Sequence, residues 1–167
     1  MNSLIRPNYK KINDEWIVYS MKILKYKKIP YNLKSREKYS KKIKEHLTPD
    51  LCSKKYRNQN KSNSLFGHCY HATQTAYYLF DTDVLKIYSA TLSNGIKHWW
   101  LKDIKNDSIL DITANQFDSK TLKTLYDKGK KDHWFGWKGR PHMRTLKLIK
   151  RIQEESKIII LDKTTKK

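Results

Sequence analysis

The chain has 167 residues, of which 38% are hydrophobic and 12% aromatic, a composition typical of one globular domain with a modest core. This composition argues against wholesale disorder, and no apolar run approaches the ~20 residues that a membrane span requires. The first residues, MNSLIRPNYKK, lack the apolar core of a signal peptide, so we expect a cytoplasmic protein whose two cysteines remain thiols.

The formal net charge of +20 is concentrated at the two ends of the chain. Residues 1–61 carry 17 Lys and Arg against 5 Asp and Glu, residues 62–119 carry 4 against 6, and residues 120–167 carry 15 against 5. Such flanks suit a polyanionic partner, and nucleic acid is the first candidate. The alternative is a compositional bias, because Lys outnumbers Arg 30 to 6 whereas specific phosphate and base contacts favour Arg.

The first third of the chain is predicted to be helical. Between residues 12 and 27, apolar side chains recur every three or four positions, which indicates an amphipathic helix that ends before Pro30. A second helix is predicted over residues 35–46, followed by a turn at residues 48–50. The polar stretch 53–63 has the composition of a loop.

The middle third is predicted to be a helix followed by an antiparallel meander. Residues 68–80 show helical apolar spacing, which places Cys69 in the first turn of a buried helix. Residues 84–91, 97–104 and 108–112 are predicted strands, separated by turns at Ser93-Asn94-Gly95 and at residues 105–107.

The last third is predicted to end in a helix. Residues 115–126 suit a short helix or an irregular segment, and residues 128–140 an ordered loop rich in glycine and aromatic residues. Pro141 is typical of the first turn of a helix, which we expect to reach about residue 156. Its core face is predicted to consist of Met143, Leu146, Ile149 and Ile152.

We therefore expect a single domain over residues 1–167. Within it we distinguish a basic helical N-terminal part (1–61), a core (62–119), an aromatic-basic loop with the C-terminal helix (120–161) and a frayed tail (162–167).

Three residues of the core have the chemistry of a thiol triad. Cys69 lies where a loop becomes a helix, and a helix N-terminus favours the reactive thiolate. His98 begins the aromatic strand HWWL, and Asp111 lies on the next predicted strand. Adjacent antiparallel strands place two such side chains next to each other, so the carboxylate can orient the imidazole against the thiol. The pattern predicts a nucleophile, a base and an orienting acid.

These stretches resemble motifs of papain-like thiol enzymes of the transglutaminase-like group. That group carries G-x-C at the start of a helix, H-x-W/F on a strand and D-P-T after a hairpin. The matching stretches here are Gly67-His68-Cys69, His98-Trp99-Trp100 and Asp111-Ile112-Thr113, with Ile112 in place of the usual Pro.

The chain resembles more closely a family of phage proteins, some of them grouped with the YunG-like papain-fold proteins. The shared stretches are LTPDL, NxxxGHCYxA, HW and LDxTAxQF, followed by a basic segment and a Pro-led helix, over roughly residues 47–152. The resemblance implies an α+β fold with a papain-like or transglutaminase-like core. In that core a nucleophile-bearing helix packs on a small antiparallel sheet, and further helices lie at both ends of the chain.

The resemblance also suggests an oxyanion donor, and the aromatic residues themselves suggest a substrate surface. Asn63 lies six positions before Cys69, where papain-like enzymes commonly carry a Gln that helps the nucleophile's own N–H to bind the oxyanion. Trp99, Trp134 and Trp137 are candidates for substrate contact, since aromatic residues near the nucleophile suit an extended chain. For Trp99 the alternative is packing in the core, and for the loop that carries Trp134 and Trp137 it is a hydrophobic lid over the core.

A nucleic-acid site is predicted at the rim of the thiol cleft. It would use Lys138, Arg140, Arg144 and Lys147, which follow the aromatic loop and open the last helix. The alternative for the helical residues is an ordinary solvated face.

Two other interpretations of the core were weighed against the triad. Asp103 is a rival to Asp111, but on a strand it points away from His98. A zinc site at His68, Cys69 and His71 lacks a second ligand pair with metal spacing, so no metal and no cofactor are predicted.

The sequence thus predicts a thiol hydrolase or acyltransferase that acts on an amide or isopeptide bond of a protein or peptide-like substrate, away from membranes. The alternative is a catalytically inactive scaffold that binds nucleic acid or a host protein, for example a phage counter-defence factor in the host cytoplasm.

Overall fold

A computed structural model describes residues 10–12, 15–19, 23–134 and 141–164, and its architecture is mixed α/β with a small antiparallel sheet. The strands are β1 Lys10–Ile12, β2 Glu15–Tyr19, β3 Ile23–Lys27, β4 Ile29–Pro30, β5 Phe80–Asp81, β6 Leu85–Thr91, β7 Lys97–Asp103, β8 Ser108–Leu110 and β9 Lys130–Lys131. The α-helices are α1 Leu33–Glu45, α2 Arg57–Ser62, α3 Cys69–Leu79, α4 Ser119–Lys128 and α5 Met143–Thr164. None of the described helices combines the length and the apolar character that crossing a bilayer requires.

The sheet that carries the site has the strand order β8-β7-β6-β9, and all of its pairs are antiparallel. Successive residues of β7 point to opposite faces, so Leu101 and Trp100 lie in two different apolar clusters. The Leu101 cluster is shared with α1, α3 and α5, whereas Trp100 packs with Leu125 of α4. The sheet is therefore covered by helices on both faces.

Helix α3 is the central element of the larger cluster. Its alanines Ala72 and Ala76 are fully buried and allow close contact with Leu148 and Ile149 of α5. Each buried Leu or Ile side chain stabilises the fold by about 1.5–3 kcal/mol relative to exposure. This packing fixes the position and direction of α3, and with them the position of its first residue, Cys69.

The predicted helix over residues 12–27 is wrong. Instead β1, β2 and β3 form a three-stranded antiparallel sheet in which Trp16 pairs with Tyr26 and Val18 with Leu24. The segments EWIVY and ILKYK are rich in β-branched and aromatic residues, which favour strands. Ile17, Val18 and Leu24 also fall between the helical positions, so the apolar spacing is not purely helical. The basic N-terminal part is thus only partly helical.

The other predicted elements agree with the structure except at four places. Residues 54–62 form a 3-10 turn and α2 rather than a loop, and Asp111 directly follows β8 instead of lying on it. Met143 is exposed, and Leu148 takes a core position of α5 that the pattern missed. Finally, α5 continues to Thr164, beyond its predicted end near residue 156, since no Gly or Pro interrupts it.

Candidate active site

Cys69 is the first residue of α3, and a glycine turn leads into it. Gly67 has φ +82°, and a Cβ at this position would lie 2.7 Å from Sγ of Cys52 and 2.9 Å from Cβ of Tyr56. Only glycine suits both the conformation and the space. The amide of a first helical residue has no acceptor within the helix, so the Cys69 N–H is available to a ligand. The turn thus presents both the thiol and a donor.

The two cysteines lie in different environments, and both are free thiols, as predicted. Cys69 is partly exposed, whereas Cys52 is fully buried. Burial raises the pKa of the Cys52 thiol, although the positive charges of Arg144 and Arg57 oppose this. A buried thiol with a raised pKa is unreactive, so Cys69 is the accessible nucleophile of the chain.

His98 and Asp111 form a buried pair. Nε2 of His98 lies 2.6 Å from Oδ2 of Asp111, and the two side chains are 0% and 2% exposed. The strand register explains the contact: Leu101 pairs with Leu110, so the next residue, Asp111, follows opposite Trp100. His98 lies two positions from Trp100 on the same face of the sheet, within reach of a diagonal contact.

The carboxylate of Asp111 is held by further donors. The hydroxyl of Tyr126 donates to Oδ2 at 2.8 Å, and the backbone N–H of Thr113 donates to Oδ1 at 3.1 Å. Tyr126 belongs to α4, which packs over the His98 face of the sheet. The carboxylate is therefore fixed in position by three separate elements of the fold.

The imidazole of His98 is held between aromatic side chains. It stacks on Trp100 with ring centroids 5.8 Å apart, and Phe117 packs edge-on at 4.9 Å. Burial alone lowers the pKa of an imidazole. The hydrogen bond and charge of Asp111 and the adjacent sulfur of Cys69 outweigh burial, and they raise the pKa of His98 to about 9. His98 is thus an imidazolium at neutral pH.

Nδ1, the other ring nitrogen of His98, is buried and makes no hydrogen bond within the described part of the chain. The Cys69 thiol donates instead to the backbone carbonyl of Lys97, with Sγ 3.8 Å from the oxygen. Lys97 immediately precedes His98, so the sulfur lies next to the histidine without a direct hydrogen bond. Such loose geometry is common in thiol sites without substrate.

Cys69 and His98 open onto a cleft of about 150 Å³. Its other lining residues are mostly aromatic or aliphatic side chains, namely Tyr56, Phe66, Tyr70, Ile96, Trp99 and Phe117. An apolar lining with few polar groups is typical of a small-molecule or side-chain pocket. The cleft can therefore hold an apolar group next to the sulfur.

Asn63, the predicted oxyanion donor, is not among the residues that line the cleft. Its side-chain amide donates to the backbone carbonyl of Gln116 at 3.1 Å. Asn63 therefore connects the loop before α3 to the segment that carries Phe117. This leaves the backbone N–H of Cys69 as the candidate donor that the structure describes at the sulfur.

Of the two predicted substrate tryptophans that the structure describes, one lines the cleft. Trp99 is a wall of the cleft, and its ring lies 5.2 Å from that of Tyr70. Trp134 is buried behind it, against Trp99 and Tyr77, in a packing position rather than a contact position. Trp137 lies outside the described residues.

The rival carboxylate Asp103 lies at the other end of β7. It accepts hydrogen bonds from Tyr31 Oη at 2.8 Å and from Asn106 Nδ2 at 2.9 Å. These bonds tie the strand to the β7–β8 turn and to the start of α1. Asp103 is thus a structural residue, and the sequence argument that set it aside is confirmed.

The predicted nucleic-acid rim stays a prediction. Lys138 and Arg140 lie outside the described residues. Lys147 forms an ion pair with Asp50 at 2.7 Å. Burial and the charge of Arg144 lower the pKa of the half-buried His142, and the backbone N–H of Arg144 donates to Nδ1 of His142 at 3.1 Å.

Sequence reasoning missed two residues that contact the His98–Asp111 pair. Tyr126 donates a hydrogen bond to Asp111, and Phe117 packs against His98. No motif in the sequence indicates that α4 packs near β7. The one signal for this packing in the sequence is the apolar spacing of Leu122, Leu125 and Tyr126, which indicates a helix face that packs against another element.

In the described part of the chain, no group of three or more His, Cys, Asp or Glu side chains is arranged to hold a metal ion.

Comparisons of this chain with models of protein families, with curated proteins and with solved structures found no match.

Proposed function

We propose that this protein is a thiol hydrolase or acyltransferase with a papain-like core, and that it acts on an amide or isopeptide bond through Cys69, His98 and Asp111. The observation that carries the proposal is the buried His98–Asp111 pair, with Nε2 2.6 Å from Oδ2. Because Nε2 is bonded to the carboxylate, the other ring nitrogen, Nδ1, can exchange a proton with the thiol. A thiol triad requires this arrangement.

In the proposed reaction the proton of the Cys69 thiol lies on Nδ1 of His98, and the sulfur attacks the carbonyl carbon of the substrate. The oxygen of the tetrahedral intermediate accepts the backbone N–H of Cys69 at the start of α3, where the helix dipole also favours negative charge. His98 gives a proton to the leaving nitrogen as the carbon–nitrogen bond breaks, and a thioester remains on Cys69.

The second half of the reaction releases the acyl group. His98 takes a proton from water or from an acceptor amine as this molecule attacks the thioester. The carbon–sulfur bond breaks, the acyl product leaves, and the sulfur is again paired with the protonated His98. Asp111 stabilises the imidazolium in both halves, and Tyr126 keeps the carboxylate in place. The apolar cleft supports a substrate with an aromatic or aliphatic side chain next to the reacting carbonyl.

The direct test is labelling with a thiol-directed electrophile followed by mass spectrometry of the intact chain and its peptides. We expect rapid modification of Cys69 and slow modification of the buried Cys52. We also expect a loss of at least tenfold in the Cys69 rate in a His98→Ala variant, since the group that the proposal assigns as acceptor of the thiol proton is then missing.

A matched control is His46→Ala, which removes a histidine from the end of α1 without touching the cleft. Equal modification of both cysteines in the native chain would contradict the proposal, as would an unchanged Cys69 rate in His98→Ala. Either result would favour the alternative of an inactive scaffold that binds nucleic acid or another protein.

A further inference from the structure

A second, open groove lies directly beside the thiol cleft. It has a volume of about 710 Å³ and runs between the end of β6, the C-terminal turn of α4 and β9. Lys97 belongs to the walls of both depressions. Its carbonyl is 3.8 Å from the Cys69 sulfur, while its ammonium group is 2.8 Å from Asp132 in the groove. The two depressions therefore meet at Lys97, next to the Cys69 sulfur.

The two acidic residues of the groove are already neutralised. Asp132 is paired with Lys97 and also accepts a hydrogen bond from the Ser89 hydroxyl. Asp127 is paired with Lys123, one helical turn earlier on α4, at 2.6 Å. Neither carboxylate therefore offsets the other positive charges of the groove.

Three further lysines line the groove: Lys128, Lys130 and Lys131. Within the part of the chain that the structure describes, no ion pair forms to any of these ammonium groups. Lys128 ends α4, while Lys130 and Lys131 form β9. The groove therefore carries three uncompensated positive charges within a stretch of four residues.

The lining of the groove favours a peptide over a nucleic acid. None of the described residues that line it is aromatic, whereas single-stranded nucleic acid is commonly held by stacking of its bases on aromatic rings. β9 is the edge strand of the sheet, and an edge strand offers backbone groups to an extended peptide.

We propose that this lysine groove, formed by Lys128, Lys130 and Lys131, binds an acidic segment of the substrate of Cys69. The inference rests on the proposed function, and it specifies the class of substrate: a peptide or protein with Asp or Glu residues a few positions from the reacting carbonyl. An extended chain advances about 3.3 Å per residue, so a short segment covers the path from the cleft past Lys97 into the groove.

The test compares covalent probes that differ only in the charge of their tail. Each probe is an epoxide with an apolar residue next to it and a tail of three Glu or three Gln residues, built in both chain directions. We expect the Glu probe of one direction to label Cys69 about tenfold faster than its Gln counterpart at low salt. The ratio of the Glu-probe rate to the Gln-probe rate should approach one at high salt, because exposed charges are screened.

The matched variants reverse three charges each. In Lys128→Glu/Lys130→Glu/Lys131→Glu, we expect the ratio of Glu to Gln rates to fall to one or below. In Lys34→Glu/Lys38→Glu/Lys44→Glu, three exposed positions on α1, the ratio should remain close to that of the native chain. The second variant has the same net charge, so it separates the groove from a general effect of charge.

The outcomes separate this inference from the proposed function. If neither probe labels Cys69 in preference to Cys52, both are overturned. If Cys69 is labelled selectively but tail charge has no effect in either direction, only the groove inference fails. If tail charge has no effect and a single-stranded oligonucleotide binds to the native chain but not to the groove variant, the groove takes nucleic acid and the inference is overturned.

Discussion

Oδ2 of Asp111 accepts two hydrogen bonds at once, from Nε2 of His98 at 2.6 Å and from the hydroxyl of Tyr126 at 2.8 Å. The carboxylate and the imidazole are both almost completely shielded from solvent. An unpaired charge in such a place would be strongly destabilising, so the loss of either partner should destabilise the fold. This mutual dependence gives the site a pH response that can be measured without a known substrate.

The first prediction concerns Asp111→Asn. Burial by itself lowers the pKa of His98, and the native value of about 9 requires the carboxylate. Removing the charge should bring the pKa of His98 below its ordinary value of about 6.5, as measured by NMR titration of the histidine ring. Asp127→Asn, an exposed position on α4, is the control that should leave the titration unchanged.

The second prediction concerns stability at alkaline pH. The folded-state pKa of His98 is raised above its unfolded value, so the folded chain binds the proton more tightly. The resulting stability is fully present below about pH 6.5 and is lost as the pH rises through about 9. A shift of this size corresponds to a few kcal/mol at most, on the order of 3. Urea denaturation from pH 6 to 10 should show the loss, and a flat profile would contradict it.

The third prediction concerns stability at acidic pH. Burial, followed by the charges of His142, Arg144 and His68, lowers the pKa of His71 to about 3. The unfolded chain therefore binds a proton that the folded chain excludes. The associated stability is present above about pH 6.5 and is lost as the pH falls toward 3.

The variant that isolates this effect is His71→Gln. The decline in the free energy of unfolding between pH 6.5 and 4 should be shallower than in the native chain, whatever the stability of the variant at neutral pH. An equally steep decline would assign the acid response to other groups, among them His68 and His142, whose pKa values burial also lowers.

The fourth prediction compares two glycines. Gly67 and Gly95 have nearly the same positive φ, +82° and +85°, but a Cβ at Gly95 meets nothing within 4 Å. Gly95→Ala should cost only the conformational strain, about 1–2 kcal/mol. Gly67→Ala adds a clash with Cys52 and Tyr56, and should cost at least ~1 kcal/mol more. Thermal unfolding of both variants measures the difference, and equal losses would contradict the crowding at Gly67.

The sequence predicted the segment that carries the site better than the rest of the fold. Helix α3, β6 and β7 were found because their apolar patterns are local and the turn at Gly95 is distinctive. The contact of His98 with Asp111 followed from two adjacent strands, although Asp111 lies one residue beyond β8. Such short-range relations can be derived from residue spacing.

The parts of the fold and of the site that were not predicted depend on contacts between distant parts of the chain. Tyr126 reaches Asp111 only because α4 folds back over β7, and no local pattern encodes that return. The strands β1 to β3 were predicted as a helix because Ile12, Trp16, Tyr19, Ile23 and Tyr26 fit the helical period when the apolar residues between them are ignored. The lysine groove likewise arises from β9 pairing with β6.

The central claim is that Cys69 forms an acyl-enzyme with the help of His98, and acylation by p-nitrophenyl acetate tests it most directly. The account predicts a burst of about one equivalent of p-nitrophenol per chain, with the acetyl group found on Cys69 by mass spectrometry. The burst should be absent in Cys69→Ala, strongly slowed in His98→Ala and retained in Cys52→Ser. A burst that survives in Cys69→Ala, or acetylation that is no faster at Cys69 than at Cys52, would contradict the account.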